Sequence, residues 1–299
     1  MNRRQPSKTS LSPGLLLASS FSLLLSSSCE APPPADAPSP VLTVMQTSVS
    51  MGDPHIASDS SNRLSLLFTI YEALVKLDEE GNVQPGLAER WEVGEDSRSW
   101  TLHLRPGVTF HNGEVLGASD VVATLGRVLD PAIGGAFGTQ GVYISYLGTA
   151  EISAQDDLTV SIVTEEPMAD LLDLLVAMPI SPASELEKLP DEYVGSGPYK
   201  VMEQSSARVV VAAHDEYWGE PPEYREIHWI AQGGRERRVE AVLRGEADIV
   251  SGIGIEGWRE LTEGDGAFAH EWDSGLAIIF MANALEGPGR DRRVRQALN

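Results

Sequence analysis

Strand-like and helix-like patterns alternate along this chain, and that alternation constrains its fold more than any other feature. Short β-type runs occur at residues 41–46 and 227–231, where β-branched and other apolar residues cluster. Between them, apolar residues recur at helical spacing from Leu64 to Val75, which predicts a helix over that stretch after a cap at Ser60 or Ser61. The sequence therefore predicts a mixed α/β or α+β fold without internal repeats.

The middle of the chain carries the patterns of two hairpins. Trp91–Val93 and Trp100–Arg105 are expected to pair around a polar turn, and Ala150–Ser153 is expected to pair with Leu158–Val163. Between the hairpins, Ala118–Leu129 has helical spacing and is followed by Asp-Pro, which ends a helix. Trp91 and Trp100 are interpreted as core aromatics rather than as ligand platforms.

Charge and cysteine content exclude several functional classes. The 299 residues include 44 Asp and Glu against 22 Lys and Arg, a formal net charge of −22. A surface that tracks phosphates needs a basic stripe, so no nucleic-acid partner is expected. The single cysteine excludes an internal disulfide and any multi-cysteine zinc site.

Motifs for catalysis, metals and cofactors are also weak. The six histidines include no pair with metal-ligand spacing on one helix, and the chain has no G-x-S-x-G elbow. Gly252–Gly257 matches G-x-G-x-x-G, but only the short segment Trp258–Glu263 follows before Gly264, where a dinucleotide site needs a longer helix, so it is not interpreted as a nucleotide site. The sequence predicts no enzyme activity, metal or cofactor.

The N-terminus has the pattern of an export signal. Three basic residues within the first ten precede the 11-residue apolar stretch 15–25, which is too short for a bilayer-spanning helix of roughly 20 residues. Three serines then lead to Cys29, the only cysteine. Residues 1–28 are therefore predicted to be a signal peptide, and the segment resembles a bacterial lipoprotein signal with Cys29 as the lipidated residue. Ordinary secretion with an incidental cysteine is the alternative.

Residues 29–40 are rich in proline, which favours extended, solvated chain. This stretch is predicted to tether an anchored Cys29 to a folded body that begins at Val41. The protein would then be exported to the periplasmic or cell-surface side and would touch the membrane only through its lipid.

Nine short motifs follow one another from residue 53 to residue 298. They are Asp53-Pro-His55, Tyr71-Glu-Ala-Leu-Val75, Pro85-Gly-Leu-Ala-Glu-Arg-Trp91, Thr101–His111, Asn112–Val122, Gly195-Ser-Gly-Pro-Tyr199, Tyr217-Trp-Gly219, Gly245-Glu-Ala-Asp248 and Asn283 with Asp291–Leu298. In content and in order, they resemble the motifs of the family 5 extracellular solute-binding proteins of ABC transporters, which carry dipeptides, oligopeptides, nickel and other solutes.

The resemblance implies a two-lobed fold of the periplasmic binding protein type II class, of which mainly the first lobe is present. Residues 41–282 would form this lobe, with an inserted hairpin subdomain at about 78–190, and residues 283–299 would begin a truncated second lobe. A fragment of a longer protein is favoured over a natural remnant of the first lobe, because family members run much longer.

The resemblance also implies a function: a monomeric receptor captures a small peptide or similar solute and delivers it to ABC permease subunits. The loop after the first strand would line the cleft, and its candidate ligand-binding residues are Ile56, Ala57, Ser58 and Asp59. A non-transport surface sensor, an interaction protein or a non-binding lobe remnant remain alternatives. The solute is not specified by the sequence.

Overall fold

The computed structural model describes residues 41–56, 60–133, 139–263, 267–269 and 293. The strands in this part are β1 (Val41–Gln46), β2 (Val75–Leu77), β3 (Val83–Pro85), β4 (Ala88–Val93), β5 (Ser99–Leu104), β6 (Glu151–Asp156), β7 (Thr159–Val163), β8 (Tyr199–Gln204), β9 (Arg208–Ala213), β10 (Glu226–Ala231) and β11 (Ile249–Val250). The helices are α1 (Ser61–Ile70), α2 (Ala118–Leu129), α3 (Thr139–Leu147), α4 (Leu171–Leu175), α5 (Arg235–Leu243) and α6 (Gly254–Glu263), with a short 3₁₀ helix at Ala183–Lys188.

A five-stranded sheet forms the first body, in the order β11-β1-β10-β9-β8. The first strand lies inside this sheet, parallel to β10 on one side and to β11 on the other. Strand β9 is antiparallel to both of its neighbours, β10 and β8. Its core joins strand residues such as Val44, Val211 and Trp229 to Leu67 and Ile70 of α1.

The second body, here called the hairpin subdomain, contains β4 to β7 with α2, α3 and α4. Its four strands form an antiparallel sheet in the order β4-β5-β7-β6. Both predicted hairpins are confirmed, with Trp91 opposite Leu102 in the first and Ile152 opposite Ile162 in the second. Trp100, Leu102 and Leu104 alternate into the core of this subdomain, so Trp100 is a core aromatic as expected.

The predicted helix Ala118–Leu129 is confirmed at both ends. Asp120 lies in its first turn and accepts a hydrogen bond from the amide of Gly117 at 2.9 Å, and its other oxygen accepts one from the amide of Ala183 at 2.9 Å. A carboxylate in this position satisfies amides that the helix itself leaves unpaired.

The helix predicted to continue to Val75 is shorter than expected. Helix α1 ends at Ile70, and Tyr71 is already extended, with φ −115° and ψ 156°. Val75 begins β2 instead. The apolar spacing continues past the end of α1 because Tyr71 and Leu74 are buried in the core as part of an extended segment. Spacing alone does not distinguish such buried residues from those of a helix.

Gly252–Gly257 also differs from the expectation, because a ten-residue helix does begin within the motif. A Cβ at Gly257 would lie 2.9 Å from the Cβ of Ile253 and 3.1 Å from a methyl of Val239 on α5. This glycine therefore allows α6 to pack closely against α5. Helix α3 was not predicted. Leu276–Ala282, whose apolar residues predict a strand, lies outside the described residues.

Within the described ranges, no helix is both long enough and apolar enough to cross a bilayer.

Candidate functional site

The carboxyl ends of the three parallel strands meet at one edge of the five-stranded sheet. Strand β1 leads into the loop toward α1, β10 leads into α5, and β11 leads into α6. All three helices therefore begin at this edge, which we call the carboxyl edge. In open α/β sheets, the crevice outside the carboxyl ends of the strands is where ligands bind.

Polar side chains at the carboxyl edge are joined in one hydrogen-bonded network. Gln46, which is 1% exposed, donates from its amide to the carbonyl of Asn62 at 2.9 Å. Asn62 donates to the hydroxyl of Thr47 and accepts from the hydroxyl of Ser251 at 3.4 Å. The carbonyl of Gln46 accepts from the amide of Gln232 at 2.8 Å. The first turn of α1 is thereby connected to all three loops of the edge.

A buried arginine from α5 lies directly behind two of these loops. Arg238 is 2% exposed, and its guanidinium donates to the carbonyl of Gln232, to that of Ser251 at 2.9 Å and to that of Gly252 at 2.7 Å. Burial lowers its pKa, but arginine remains protonated at any physiological pH. A fixed positive charge therefore supports the carboxyl edge from within.

The helix ends add to this positive potential. Gly234, the residue before α5, has no side chain with which to cap the first amides of the helix. The start of a helix carries a partial positive charge, and its unpaired amides are donors for an anion. With three helices starting here, the edge offers main-chain amides to a carboxylate or another small anion, against the negative charges of Glu236 and Glu256 in the first turns of α5 and α6.

Of the four sequence-predicted ligand-binding residues, the structure describes one, Ile56. Ile56 is half-buried, and its amide donates to the carbonyl of Asp53 at 3.2 Å, which closes a turn just before the chain reaches α1. Ala57, Ser58 and Asp59 lie outside the described residues, as does Cys29. Sequence reasoning missed Asn62, Gln232 and Arg238, because the hydrogen bonds that join them to the edge depend on the sheet order.

The Asp53-Pro-His55 motif connects this turn to the hairpin subdomain in a contact that we call the Asp53 joint. Asp53 is 7% exposed and accepts two hydrogen bonds from Arg127 of α2, at 2.6 Å and 3.0 Å. Its carboxylate also accepts from the amide of His55 at 2.9 Å. Burial raises the pKa of Asp53, but these hydrogen bonds and the Arg127 charge outweigh it and leave the pKa below 3.8.

The same arginine fixes the tautomer of His55. Arg127 approaches Nδ1 of His55 at 3.1 Å, and since a guanidinium only donates, Nδ1 is the acceptor. The proton is therefore on Nε2, which donates to the carbonyl of Pro179 at 3.0 Å. Burial, with the Arg127 charge adding to it, lowers the pKa of His55 to about 4, so the ring is neutral at neutral pH.

A second carboxylate, Glu72, lies at another contact between the two bodies, which we call the Glu72 joint. The main-chain carbonyl of Glu72 accepts a hydrogen bond from the amide of Ile180, in the segment after α4, at 2.9 Å. Its carboxylate accepts hydrogen bonds from the hydroxyl of Ser196 at 3.0 Å, the hydroxyl of Tyr217 at 2.9 Å and the indole of Trp218 at 2.7 Å. Arg105 of the hairpin subdomain stacks over the Trp218 ring at 4.4 Å. Burial raises the pKa of Glu72, although the three donors oppose this shift.

Motifs that are far apart in sequence therefore meet at the Glu72 joint, and their role is structural. Gly197 belongs to the same contact, because a Cβ there would lie 2.7 Å from the carbonyl oxygen of Ile70. A cavity of about 380 Å³ beside Glu72 is lined mostly by apolar groups. Nowhere in the described ranges do three or more His, Cys, Asp or Glu side chains group as metal ligands would.

A mixed sheet with a polar carboxyl edge defines a ligand-binding α/β fold. Residues 82–299 match the sequence model of the bacterial extracellular solute-binding proteins, family 5 (middle region), and the chain belongs to this family. This confirms the resemblance seen in the motifs. The family consists of transport binding proteins rather than enzymes.

Named relatives and solved structures agree with this assignment. The glutathione-binding protein GsiB of Shigella boydii is 29% identical over 295 residues, covering 95% of this chain and 55% of that protein. The binding protein AgaA of A. tumefacien R10, solved with agropinic acid, has a TM-score of 0.68 at 26% identity, covering 76% of this chain and 46% of that one. MoaA of the same strain, solved with mannopinic acid, has a TM-score of 0.66 at 28% identity, covering 76% and 48%.

These structures confirm the predicted mixed α/β fold of the periplasmic binding protein type II class. The chain spans about half the length of the curated relatives it matches.

Proposed function

We propose that this chain belongs to a receptor that binds a small carboxylate-bearing solute, such as a short peptide, at the carboxyl edge and delivers it to ABC permease subunits. The observation that carries this proposal is the start of three helices and the buried guanidinium of Arg238 at one edge of the sheet. Residues 41–282 would form the first lobe and residues 283–299 the beginning of the second.

The local potential at the carboxyl edge, rather than the net charge of the protein, supports an anionic group on the solute. A formal net charge of −22 repels anions in general, so a carboxylate would bind only where local positive potential exceeds that background. Helix starts supply such a potential through amides that are already oriented. Relatives are named or solved with glutathione, agropinic acid and mannopinic acid, all of which carry carboxyl groups.

Closure of two lobes over the solute would convert binding into a signal for the permease. The solute shifts the equilibrium toward the closed state by the difference between its binding free energies for the closed and the open state. In this scheme Ile56, Ala57, Ser58 and Asp59 line the first-lobe side of the cleft, at the point where the chain enters α1.

Titration calorimetry on the longest in-frame gene product tests the solute class. We expect glutathione or some di- to pentapeptides to bind, and we expect amidation of their carboxyl groups to weaken binding by about tenfold or more, since charge-assisted hydrogen bonds to the edge are lost. Equal affinity for acids and amides would refute the carboxylate proposal. Absence of binding across both groups would refute the peptide assignment.

Export and anchoring complete the proposal: residues 1–28 direct secretion, Cys29 is lipidated, and residues 29–40 tether a monomeric receptor to the outer face of a membrane. Palmitate labelling in the native host compares the wild-type protein with Cys29→Ala. Loss of label in the variant is expected. Equal labelling would reject the anchor and favour ordinary secretion.

A further inference from the structure

We propose that Arg127, which belongs to the hairpin subdomain, is a positioning residue for the proposed binding loop: it fixes the turn Asp53–Ile56, whose last residue is the first of that loop. This proposal rests on the proposed function of that edge. It assigns to the hairpin subdomain a role in binding, although its own sheet is separate from the five-stranded sheet.

The sheet body holds the beginning of this turn through its main chain. The carbonyl of Gly52 accepts from the hydroxyl of Tyr193 at 3.1 Å, and the carbonyl of Asp53 accepts from the guanidinium of Arg63 on α1. Gly52 has φ +56°, a left-handed backbone conformation that favours glycine. These contacts leave the side chains of Asp53 and His55 to be fixed from elsewhere.

Arg127 fixes both side chains at once. Its Nη1 donates to Asp53 Oδ1 at 3.0 Å and to His55 Nδ1 at 3.1 Å, while its Nη2 donates to Asp53 Oδ2 at 2.6 Å. The arginine side chain is only 12% exposed, so water does not compete strongly for these bonds. A lysine would keep the charge, but its single ammonium cannot reproduce the planar fork that bridges two acceptor groups.

The rest of the hairpin side confines the His55 ring. Besides its bond to Pro179, the ring nitrogen Nε2 lies 3.4 Å from the hydroxyl of Ser181. The main chain of Ser181 is in turn bonded to the hydroxyl of Thr124, one turn before Arg127 on α2. The turn is therefore docked on α2 and on the segment after α4, and the direction in which Ile56 leaves it is set by the hairpin subdomain.

Hydrogen–deuterium exchange on the full chain tests this role without any ligand. The informative amides are those of His55 and Ile56, which both donate to Asp53. In Arg127→Lys we expect their exchange to accelerate by about tenfold or more, because the turn opens locally without global unfolding. Glu72→Gln is the matched control, since it weakens the other joint and should leave these two amides protected.

Equal acceleration in both variants, once corrected for global stability, would show that Arg127 is merely structural and would overturn the proposal. Unchanged exchange in Arg127→Lys would overturn it as well.

Calorimetry with glutathione extends the test to binding on the longest in-frame gene product. We expect about a tenfold increase in Kd for Arg127→Lys and none for Glu72→Gln. Equal Kd values for Arg127→Lys and wild type would overturn the positioning role. If the wild type does not bind glutathione, the proposed solute fails, while the exchange contrast still decides the role of Arg127.

Discussion

The Asp53 joint and the Glu72 joint lie at two contacts between the same two bodies, and their carboxylates, buried in Asp53 and half-buried in Glu72, are stabilised in opposite ways. Asp53 faces the full charge of Arg127 and has a lowered pKa, whereas Glu72 is bonded by the neutral donors Ser196, Tyr217 and Trp218 and has a raised pKa. A charge pair favours one ionised arrangement, while neutral donors tolerate loss of the charge. The Asp53 joint, which lies next to the proposed binding loop, therefore depends on a charge pair, whereas the Glu72 joint does not.

The largest expected effect comes from neutralising Asp53. Asp53→Asn keeps the shape but leaves Arg127 buried without its counter-charge, and breaking a buried pair in this way costs about 3–5 kcal/mol. Urea unfolding should show this loss as a lower free energy of unfolding. Arg90→Ala is the control, because its ion pair with Glu92 is exposed and should be worth less than about 1 kcal/mol. Equal losses in both variants would contradict the assignment of Asp53 as a buried pair.

Acid should destabilise the fold through two histidines with lowered pKa values: His55 of the Asp53 joint and His111, whose Nε2 lies 2.9 Å from the carbonyl oxygen of Gly197. His55 and His111 have folded pKa values of about 4, below the ordinary 6.5, so the unfolded chain binds more protons between these values. Stability should therefore fall as pH decreases from 6.5 to 4, by up to about 3 kcal/mol per histidine. Because the pKa of Asp53 is lowered in the folded state, the unfolded chain also binds a proton at this residue first as the pH falls below 3.8, which reduces stability further.

Urea unfolding at several pH values measures how the free energy of unfolding depends on pH. In His55→Gln, the unfolded chain should bind one proton fewer relative to the folded state, so the slope should be flatter. An unchanged slope in that variant would mean that His55 is not buried in its neutral form.

A smaller effect is expected at the Glu72 joint. Glu72→Gln retains an acceptor for the indole of Trp218 but replaces one carboxylate oxygen with a donor, and such a loss costs about 1 kcal/mol when no charge is left unpaired. The comparison fails if this variant is destabilised as strongly as Asp53→Asn in the same urea experiment.

The smallest expected effect is a gain in stability from a substitution at Gly126, next to Arg127. Gly126 is exposed in the middle of α2, and a Cβ there would meet no atom within 4 Å. Gly126→Ala should therefore stabilise the protein by about 0.5–1 kcal/mol, measured as a raised Tm. Gly197→Ala serves as the opposite control, since a Cβ there collides with Ile70. A lower Tm for Gly126→Ala would show that α2 needs its flexibility.

Local patterns predicted the elements well, but not the contacts between them. The hairpins and α2 follow from alternation, helical spacing and Asp-Pro, all of which act over a few residues. The early end of α1 does not, because Glu72 is drawn toward partners more than 120 positions away. Helix α3 was missed because Val142-Tyr-Ile144 has residues typical of strands.

The candidate site shows the same division. The motif at Asp53–His55 was found in the sequence, but its partner Arg127 lies 74 residues further along and carries no local signal of that role. The carboxyl edge depends on the position of β1 between β10 and β11, which local sequence patterns do not specify. Its predicted residues Ala57, Ser58 and Asp59 stay predictions.

The position of β1 inside the sheet also has a consequence for how the chain folds after export. Both neighbours of this strand, β10 and β11, emerge about 180 to 200 residues later, since Val44 pairs with Trp229 and Ile249. Contacts over such separations form slowly, whereas the hairpins of the other body are local and form early. The hairpin subdomain should thus fold first, and the Asp53 turn would dock on it before β1 pairs with β10 and β11.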